Sequence, residues 1–492
     1  MKNLLLILKS GAAGAVLAFA VNENFWGLAL LAVAILYRML CDRPLKHRVV
    51  SVFSFGLAFF AILLSWMKVL GNDAWLLIVV LCLISFTFLA VAPVSSDSRI
   101  SKIEFAICWV LVELIRSNYP WGGFRWGLIA YSTSASDLAH YGRTLGHLGL
   151  TFLLILMATT VSEILQGKTI RRSLLLVTTV ALASVIPSEP PSGQMKVGIV
   201  QGGDIGPEVP DYARPDAVLR NQISQTVQNR IKLSDSDLVL WPENSVNLFS
   251  LNDANAAQVQ SVVDLVNRPF LIGAVLDSIS QGPKNEAILW LPKTGPVQTY
   301  IKKHLVPFGE YVPFRAFLEP KIGRLDQIPQ DFVPGSDGGV IQVGMNLIGV
   351  AICFEVADQD HLTYLTNHGS EVLIGLSNNS TYLGTTQPSQ QFQITRYSAA
   401  LHNRAFVVAT TTGVSGAIGP DGRLLTAVQG SGGAVTTVFV PTVKKPTFAD
   451  RHPFVPIGVL LLIAIFTLLA HRRIYRLSKE PLWQISQDRV ET

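Results

Sequence analysis

Apolar positions are distributed very unevenly along this chain. Residues 1–188 are long apolar stretches with short polar breaks, whereas 195–440 alternates short apolar runs with mixed segments. A spanning helix needs about 20 consecutive apolar residues. Eight stretches come close: about 4–21, 24–40, 49–70, 74–94, 103–119, 146–166, 173–188 and 454–470. The fifth is the weakest, because Glu104, Glu113 and Arg116 flank or enter it. The expected organisation is a seven-span helical bundle over 1–188, a soluble domain over 195–440, and a last span with a basic tail within 441–492. Residues 188–194, rich in Pro and Ser, read as a linker.

Within 195–440 the apolar runs are short and β-branched: 195–202, 237–243, 270–276, 287–291, 340–344, 347–355, 372–378 and 406–413. Helical patterns fit about 213–233, 255–267, 357–368 and 389–404. Near-continuous apolar strands alternating with helices predict an α/β sheet covered on both faces. Pro420-Asp421-Gly422 predicts a hairpin turn.

Composition and charge refine this picture. Half the chain is apolar (49%) and only 15% is charged, unlike an ordinary globular protein. The net charge of +5 is carried mainly by short loops between apolar stretches, which argues for membrane orientation and against a nucleic-acid-binding patch. Arg38, Arg43, Lys46 and Arg48 mark the 2/3 loop, Arg99 and Lys102 the 4/5 loop, Lys168, Arg171 and Arg172 the 6/7 loop, and Arg472, Arg473, Arg476 and Lys479 the tail. The 1/2 loop has no basic residue and the 3/4 loop has Lys68. The rich loops fall on one side, expected to be cytoplasmic, which puts the soluble domain outside the cytoplasm. Lys2, the apolar run and Ala18-Phe19-Ala20 also fit a cleaved signal peptide loosely, and cleavage would leave the remaining topology unchanged.

Three segments carry candidate chemistry. LVLWPE ends at Glu243, YIKKHLVPFGE carries Lys302 and Glu310, and IGVAICFE carries Cys353 and Glu355. A carboxylate, an ammonium and a thiol thus follow three apolar runs, and strand tips of one sheet can converge. The set suits covalent acyl chemistry at sulfur. Taken singly, each has a bland reading: a buried structural thiol, a solvated loop carboxylate, a surface lysine with Lys303 beside it. Pro242 lacks an amide donor, so the strand before Glu243 is expected to stop there. Cys41, Cys82 and Cys108 fall in or beside apolar stretches and read as small hydrophobes. Cys353 has no nearby Cys or His, so neither a zinc site nor a disulfide framework is indicated. Trp121, Phe124 and Trp126, in the 5/6 connection, read either as an interfacial aromatic belt or as the lining of a lipid access site.

Together, Trp-Pro-Glu (241–243), Tyr-x-Lys-x-His-Leu-Val-Pro-Phe-Gly-Glu (300–310) and Ile-Cys-Phe-Glu (352–355) resemble the Glu–Lys–Cys motifs of the nitrilase (carbon–nitrogen hydrolase) superfamily. HLVPFGEYVP (304–313) resembles its membrane branch, the apolipoprotein N-acyltransferases, and the likeness extends over nearly the whole chain. The resemblance implies a bundle of about eight spans with a nitrilase-like αββα sandwich. It implies Glu243 as general base, Lys302 as stabiliser of the oxyanion and intermediate, and Cys353 as nucleophile. Glu310, Glu355 and Asn285 would support them, and Gln201, Trp121, Phe124, Trp126, Phe354 and Tyr382 would lie at a lipid site. The implied donor is a phospholipid and the acceptor a diacylated apolipoprotein, in a bacterial inner membrane with the catalytic domain facing the periplasm, and with no metal or organic cofactor. A membrane-anchored amidase or nitrilase is the alternative within the same fold, and a ligand-binding transporter or receptor the alternative outside it. Three positions depart from the family pattern: Phe354 stands where Tyr is usual, Tyr382 where Trp is usual, and His402 where an acid is usual.

Overall fold

The computed structural model describes residues 2–95, 98–167, 170–206, 214–278, 282–318 and 329–479, with side chains described from 3 to 470. The N-terminal part forms helices α1 (Lys2–Asn22), α2 (Trp26–Leu40), α3 (Leu45–Leu63), α4 (Asn72–Thr87), α5 (Arg99–Asn118), α6 (Gly142–Ile164) and α7 (Ile170–Ala183), and a last helix covers Phe454–Lys479. All eight expected stretches are helical. Four helical segments among the described residues are long and apolar enough to cross a membrane: Asn3–Asn22, Leu45–Leu63, Asn72–Val91 and Asp137–Ile164. The expected third span (49–70) is shorter than predicted. The helix starts at Leu45 and gives way to a 3-10 turn at Ser65–Val69. The charges that weaken α5 point inward. Glu113 accepts from the indole of Trp109, the amide of Ile129 and the hydroxyl of Thr151, and Arg116 donates to the carbonyls of Phe124 and Trp126.

The connections segregate to two ends. At one end Glu163 pairs with both Lys102 and Arg172, and Tyr37 donates to the carbonyl of Ser95 (3.3 Å). At the other end Asn22, Leu63, Trp66 and Trp126 all bond to Gln390 of the soluble domain.

That domain has two six-stranded sheets. The first contains β1 (Gly193–Gln201), β2 (Leu238–Leu248), β3 (Phe270–Ser278), β4 (Gly282–Leu291), β5 (Gly295–Ile301) and β12 (Ala434–Thr442), in the order β12-β1-β2-β3-β4-β5. The second contains β6 (Val340–Val343), β7 (Asn346–Ile352), β8 (Val372–Ser377), β9 (Ala405–Thr410), β10 (Gly413–Ile418) and β11 (Leu424–Gly430), in the order β11-β10-β9-β8-β7-β6. Each has a parallel centre, β1-β2-β3 or β7-β8-β9, flanked by antiparallel pairs.

Strand alternation explains the layers. Val197, Ile199, Leu238 and Leu240 meet Ile348, Val350, Ile352 and Ile374 between the sheets. Their alternates, Val239 and Trp241, pack under helices Arg214–Gln228 and Ala254–Val266. Ala351 and Leu373 pack under Gln359–Asn367 and Gln387–His402. Each fully buried Val, Leu or Ile contributes about 1.5–3 kcal/mol, so both faces hold the sheets in register. This is the expected αββα sandwich. The outer face of Gln387–His402 is apolar as well: Ile394, Tyr397, Ala400 and Leu401 belong to the core of the helical bundle.

Candidate active site

The carboxyl ends of the parallel strands point at one region, and the three reacting groups read from the sequence meet there. Glu243 is in β2, which does not stop at Pro242 as expected. Its pairing with β3 breaks between Trp241 and Val246 and then resumes to Leu248, with Asn244 at φ +57°. The break follows from the missing proline amide, and the resumption from Val246 and Leu248 being buried. Gly273 of β3 lies directly under it. A Cβ there would sit 2.4 Å from the Pro242 carbonyl oxygen and 2.5 Å from the Glu243 Cα. The glycine lets two backbones touch and sets the height of the carboxylate.

Lys302 follows edge strand β5 and is 1% exposed. Its backbone is fixed on both sides: Lys302 N–H donates to the Asn285 carbonyl (2.8 Å) and Gly335 N–H donates to the Lys302 carbonyl (2.9 Å). Its Nζ lies 2.9 Å from Glu310 Oε1 and 3.3 Å from Glu243 Oε1. Asn285 Nδ2 donates to the same two oxygens, at 2.8 and 2.7 Å. Glu243 Oε2 accepts the Asn378 amide (2.8 Å), and Glu310 Oε2 the Val306 amide (2.7 Å). Burial opposes the charge on Lys302, but the Glu310 and Glu243 carboxylates outweigh it and hold the ammonium well above its ordinary pKa.

Cys353 sits on an elbow immediately after β7, at φ +54°. A left-handed backbone costs an L-residue about 1–2 kcal/mol, and the surroundings hold it in place. Glu355 Oε2 accepts the Ile352 amide (2.8 Å), and Gln391 Nε2 donates to the Cys353 carbonyl (3.1 Å). The Glu243 carboxylate and the Lys302 ammonium both lie within electrostatic reach of the thiol. Burial pushes its pKa up, the Glu243 carboxylate pushes the same way, and Lys302 only partly offsets them. The resting sulfur is therefore held as the protonated thiol, with a carboxylate in its surroundings.

Glu355 contacts neither the lysine amine nor the sulfur. It is fully buried and organises backbone: Oε1 accepts from Tyr300 Oη (2.8 Å) and the amides of Lys303 (2.9 Å) and His304 (3.0 Å), tying the lysine loop to the cysteine elbow. Asp358 acts similarly one turn on, 2.9 Å from both Arg125 and His304. Burial alone would raise its pKa, but His304 and Arg125 hold its carboxyl below the usual range.

The expected lipid-site residues divide. Phe354 stacks on Phe124 (6.2 Å) and Trp126 (6.3 Å), so one aromatic wall joins the bundle to the residue beside the cysteine. Tyr382 is edge-on to Trp66 (5.3 Å) and within electrostatic reach of Cys353, Glu243 and Lys302. Trp121 belongs to another group, with Phe308 and Phe314. Gln201 lies apart: its amide donates to the carbonyls of Gly430 and Gly432, and its oxygen accepts from Ser415 and Thr410. His402 is fully buried between Asp450 (2.7 Å) and Gln359 (3.1 Å). Trp66, Arg125, Asp358 and Gln391 were not singled out from the sequence; each is an ordinary residue until the fold brings it to the site.

Residues 12–160 match the family model described as the apolipoprotein N-acyltransferase N-terminal domain, and residues 197–441 match that of the carbon-nitrogen hydrolases. The chain is 32% identical over 222 residues to an apolipoprotein N-acyltransferase of Mycolicibacterium smegmatis, spanning 43% of this chain and 37% of that one. It is 26% identical over 460 residues to that of Photobacterium profundum, spanning 86% of each. Among solved structures, a Saccharomyces cerevisiae member of branch 10 of the nitrilase superfamily aligns with a TM-score of 0.39 at 15% identity, over 54% of this chain and 96% of that one. With both parts matched in order along one chain, the protein belongs to the apolipoprotein N-acyltransferase family, a membrane branch of the carbon–nitrogen hydrolase superfamily.

Proposed function

We propose that this protein moves an acyl chain from a phospholipid to the N-terminal S-diacylglyceryl-cysteine of an apolipoprotein, the last step of lipoprotein maturation. The observation that carries the reading is the meeting of Glu243, Lys302 and Cys353 beside an aromatic wall shared with the membrane bundle. Glu243 takes the thiol proton as the sulfur attacks the ester carbonyl. A general base must come within hydrogen-bond reach of the proton it takes, a contact that often tightens only when substrate is bound. The Lys302 ammonium stabilises the oxyanion that forms. Collapse of the tetrahedral species expels the lysophospholipid alkoxide, which takes up the proton, and leaves a thioester on Cys353. The α-amine of the acceptor then attacks the thioester, Glu243 removes the amine's proton, and Cys353 departs as thiol with an amide formed.

The membrane setting supports this substrate pair. Exposing acyl chains to water costs about 0.8 kcal/mol per methylene, and Phe354 places an apolar wall next to the sulfur. We also propose a bacterial inner-membrane location with residues 195–440 on the periplasmic side. Lys102 and Arg172 share Glu163 at one end of the bundle, whereas Asn22, Trp66 and Trp126 meet the soluble domain at the other. The positive-inside rule assigns the first end to the cytoplasm.

The test is intact-protein mass spectrometry after incubation with a phospholipid carrying one labelled chain. The wild type should gain one hydroxylamine-labile acyl group, and a diacylated peptide should then receive the label on its amine. A thioester adduct on Cys353→Ser would sink the assignment. Release of the label as free fatty acid, with the peptide untouched, would make the protein a hydrolase.

A further inference from the structure

Two neighbouring glutamines on the helix Gln387–His402 face opposite ways, and between them they touch everything that must be aligned. Gln390 is 4% exposed and uses all its hydrogen-bonding capacity. Its Oε1 accepts both indole N–H groups, Trp66 at 3.0 Å and Trp126 at 2.6 Å. Its Nε2 donates to Asn22 Oδ1 (2.6 Å), the Leu63 carbonyl (3.0 Å) and Thr386 Oγ1 (3.2 Å). One side chain thus binds three separate connections of the bundle. Gln391, 2% exposed, turns to the sheets and donates to the Cys353 carbonyl (3.1 Å) and Ser377 Oγ (3.2 Å).

The two indoles are not generic packing. Trp126 stacks on Phe354, next in sequence to Cys353, and Trp66 is edge-on to Tyr382. Cys353 packs against the inter-sheet core, whereas Phe354 packs against the bundle core. The peptide between them therefore crosses from one rigid body to the other, and the wall must stay in register with the elbow.

We infer that Gln390 is a positioning residue for the acyl donor: it locks the Trp66–Trp126–Phe354 wall to the helix whose next residue, Gln391, holds the nucleophile's backbone. This rests on the acyl-transfer reading above. An amide is suited to the task because a single planar group both accepts two indole hydrogens and donates to the bundle. Leucine keeps the volume but offers neither.

Two rates on the full-length protein in detergent micelles separate this role from mere folding. The first is acylation of Cys353 by phospholipid. The second is its alkylation by iodoacetamide, which needs the thiol and no lipid wall. Gln390→Leu should slow acylation about 10- to 100-fold, the scale of a reactant misplaced by about an ångström, through a raised KM as well as a lowered kcat, with alkylation at the wild-type rate. Gln391→Leu should slow both, because it frees the elbow itself. Equal losses of both rates in Gln390→Leu, or no loss in either, would overturn the inference. If Gln390→Leu loses its cooperative melt, Trp66→Phe decides. It keeps an aromatic ring, though a smaller one, and removes one donor to Gln390, so it should show a smaller selective loss of acylation, and wild-type acylation would refute the role. A wild-type protein that alkylates but never acylates would overturn the acyl-transfer reading as well, whereas normal wild-type acylation with an unaffected Gln390→Leu overturns the positioning role alone.

Discussion

Lys302→Met is the perturbation whose size the geometry defines best. At an effective dielectric of about 20, charges this close attract by about 5–6 kcal/mol per pair, and Lys302 Nζ has two carboxylate partners, at 2.9 and 3.3 Å. Desolvating the ammonium offsets several kcal/mol of that, and removing one partner of a buried pair typically costs about 3–5 kcal/mol. Methionine fills the volume but leaves Glu243 and Glu310 sharing one Asn285 amide with no cation between them. One of them must then take up a proton, and a protonated Glu243 cannot serve as base. If the whole cost falls on the transition state, acylation slows by about two to four powers of ten. Lys303 is exposed and only its backbone amide is used, by Glu355. Lys303→Met should therefore stay within about 0.5 kcal/mol of wild type. The assay is single-turnover accumulation of the acyl-enzyme, quenched in acid and read by mass spectrometry. Lys302→Met within threefold of wild type, or Lys303→Met losing as much, would refute the electrostatic reasoning.

Gly273→Ala should shift the Pro242-Glu243 backbone, since the new Cβ falls 2.4 Å from a carbonyl oxygen. A loss of about 1–3 kcal/mol in unfolding free energy is expected, with acylation falling further, and an unchanged melt would refute the contact. Asn285→Leu should cost about 3 kcal/mol or more, having removed two hydrogen bonds to charged oxygens, and a variant with wild-type acylation would deny the amide its bridging role. The third prediction concerns pH. The Asp358 carboxylate, 2.9 Å from His304 Nδ1, raises the His304 pKa against the effect of burial. The stabilisation is then fully present below the ordinary histidine value of about 6.5 and fades as pH rises through the elevated one. The melting temperature of the wild type should fall from about pH 6.5 upward, more steeply than that of His304→Gln. Parallel profiles would show that the pair contributes nothing.

Much of this was legible in the chain because burial and sequence pattern coincide. β1, β7, β8 and β9 are buried almost throughout and appear as unbroken apolar runs. β11 largely alternates exposed with half-buried residues and β12 is mostly half-buried, so their runs contain Gln, Thr and Gly and were not predicted as strands. β5 delivers Lys302 from a strand tip, as expected, although only the Tyr300-Ile301 end of it reads as apolar. Of the two adjacent lysines, residue types alone favoured neither, and only strand direction sends one inward and the other to solvent. The hairpin at Pro420-Asp421-Gly422 is a local device and was readable: Gly422 has φ +82°, and the Gly419 amide bonds the Arg423 carbonyl. Gln390 and Gln391 were invisible for the opposite reason. Their main partners lie in segments up to 368 residues away, and nothing local marks a glutamine most of whose bonds are distant.

The pairing of β1 with β12 carries a consequence for biosynthesis. Gly193 lies opposite Thr442, so the chain leaves the bundle and returns to it along two adjacent antiparallel strands. β12 hydrogen-bonds only β1 within its sheet, and the helix beginning at Phe454 packs on α5 and α6. β12 and the helix after it are made later than the elements they cover, so their arrival closes the edge of β1 and covers the α5–α6 flank together. Until it does, α5 and α6 wait in the bilayer with an uncovered flank, and an interrupted translation product would strand a nearly complete catalytic domain on an unfinished membrane base. Docking of the helix that begins at Phe454 thus reports on the catalytic domain and the bundle at once.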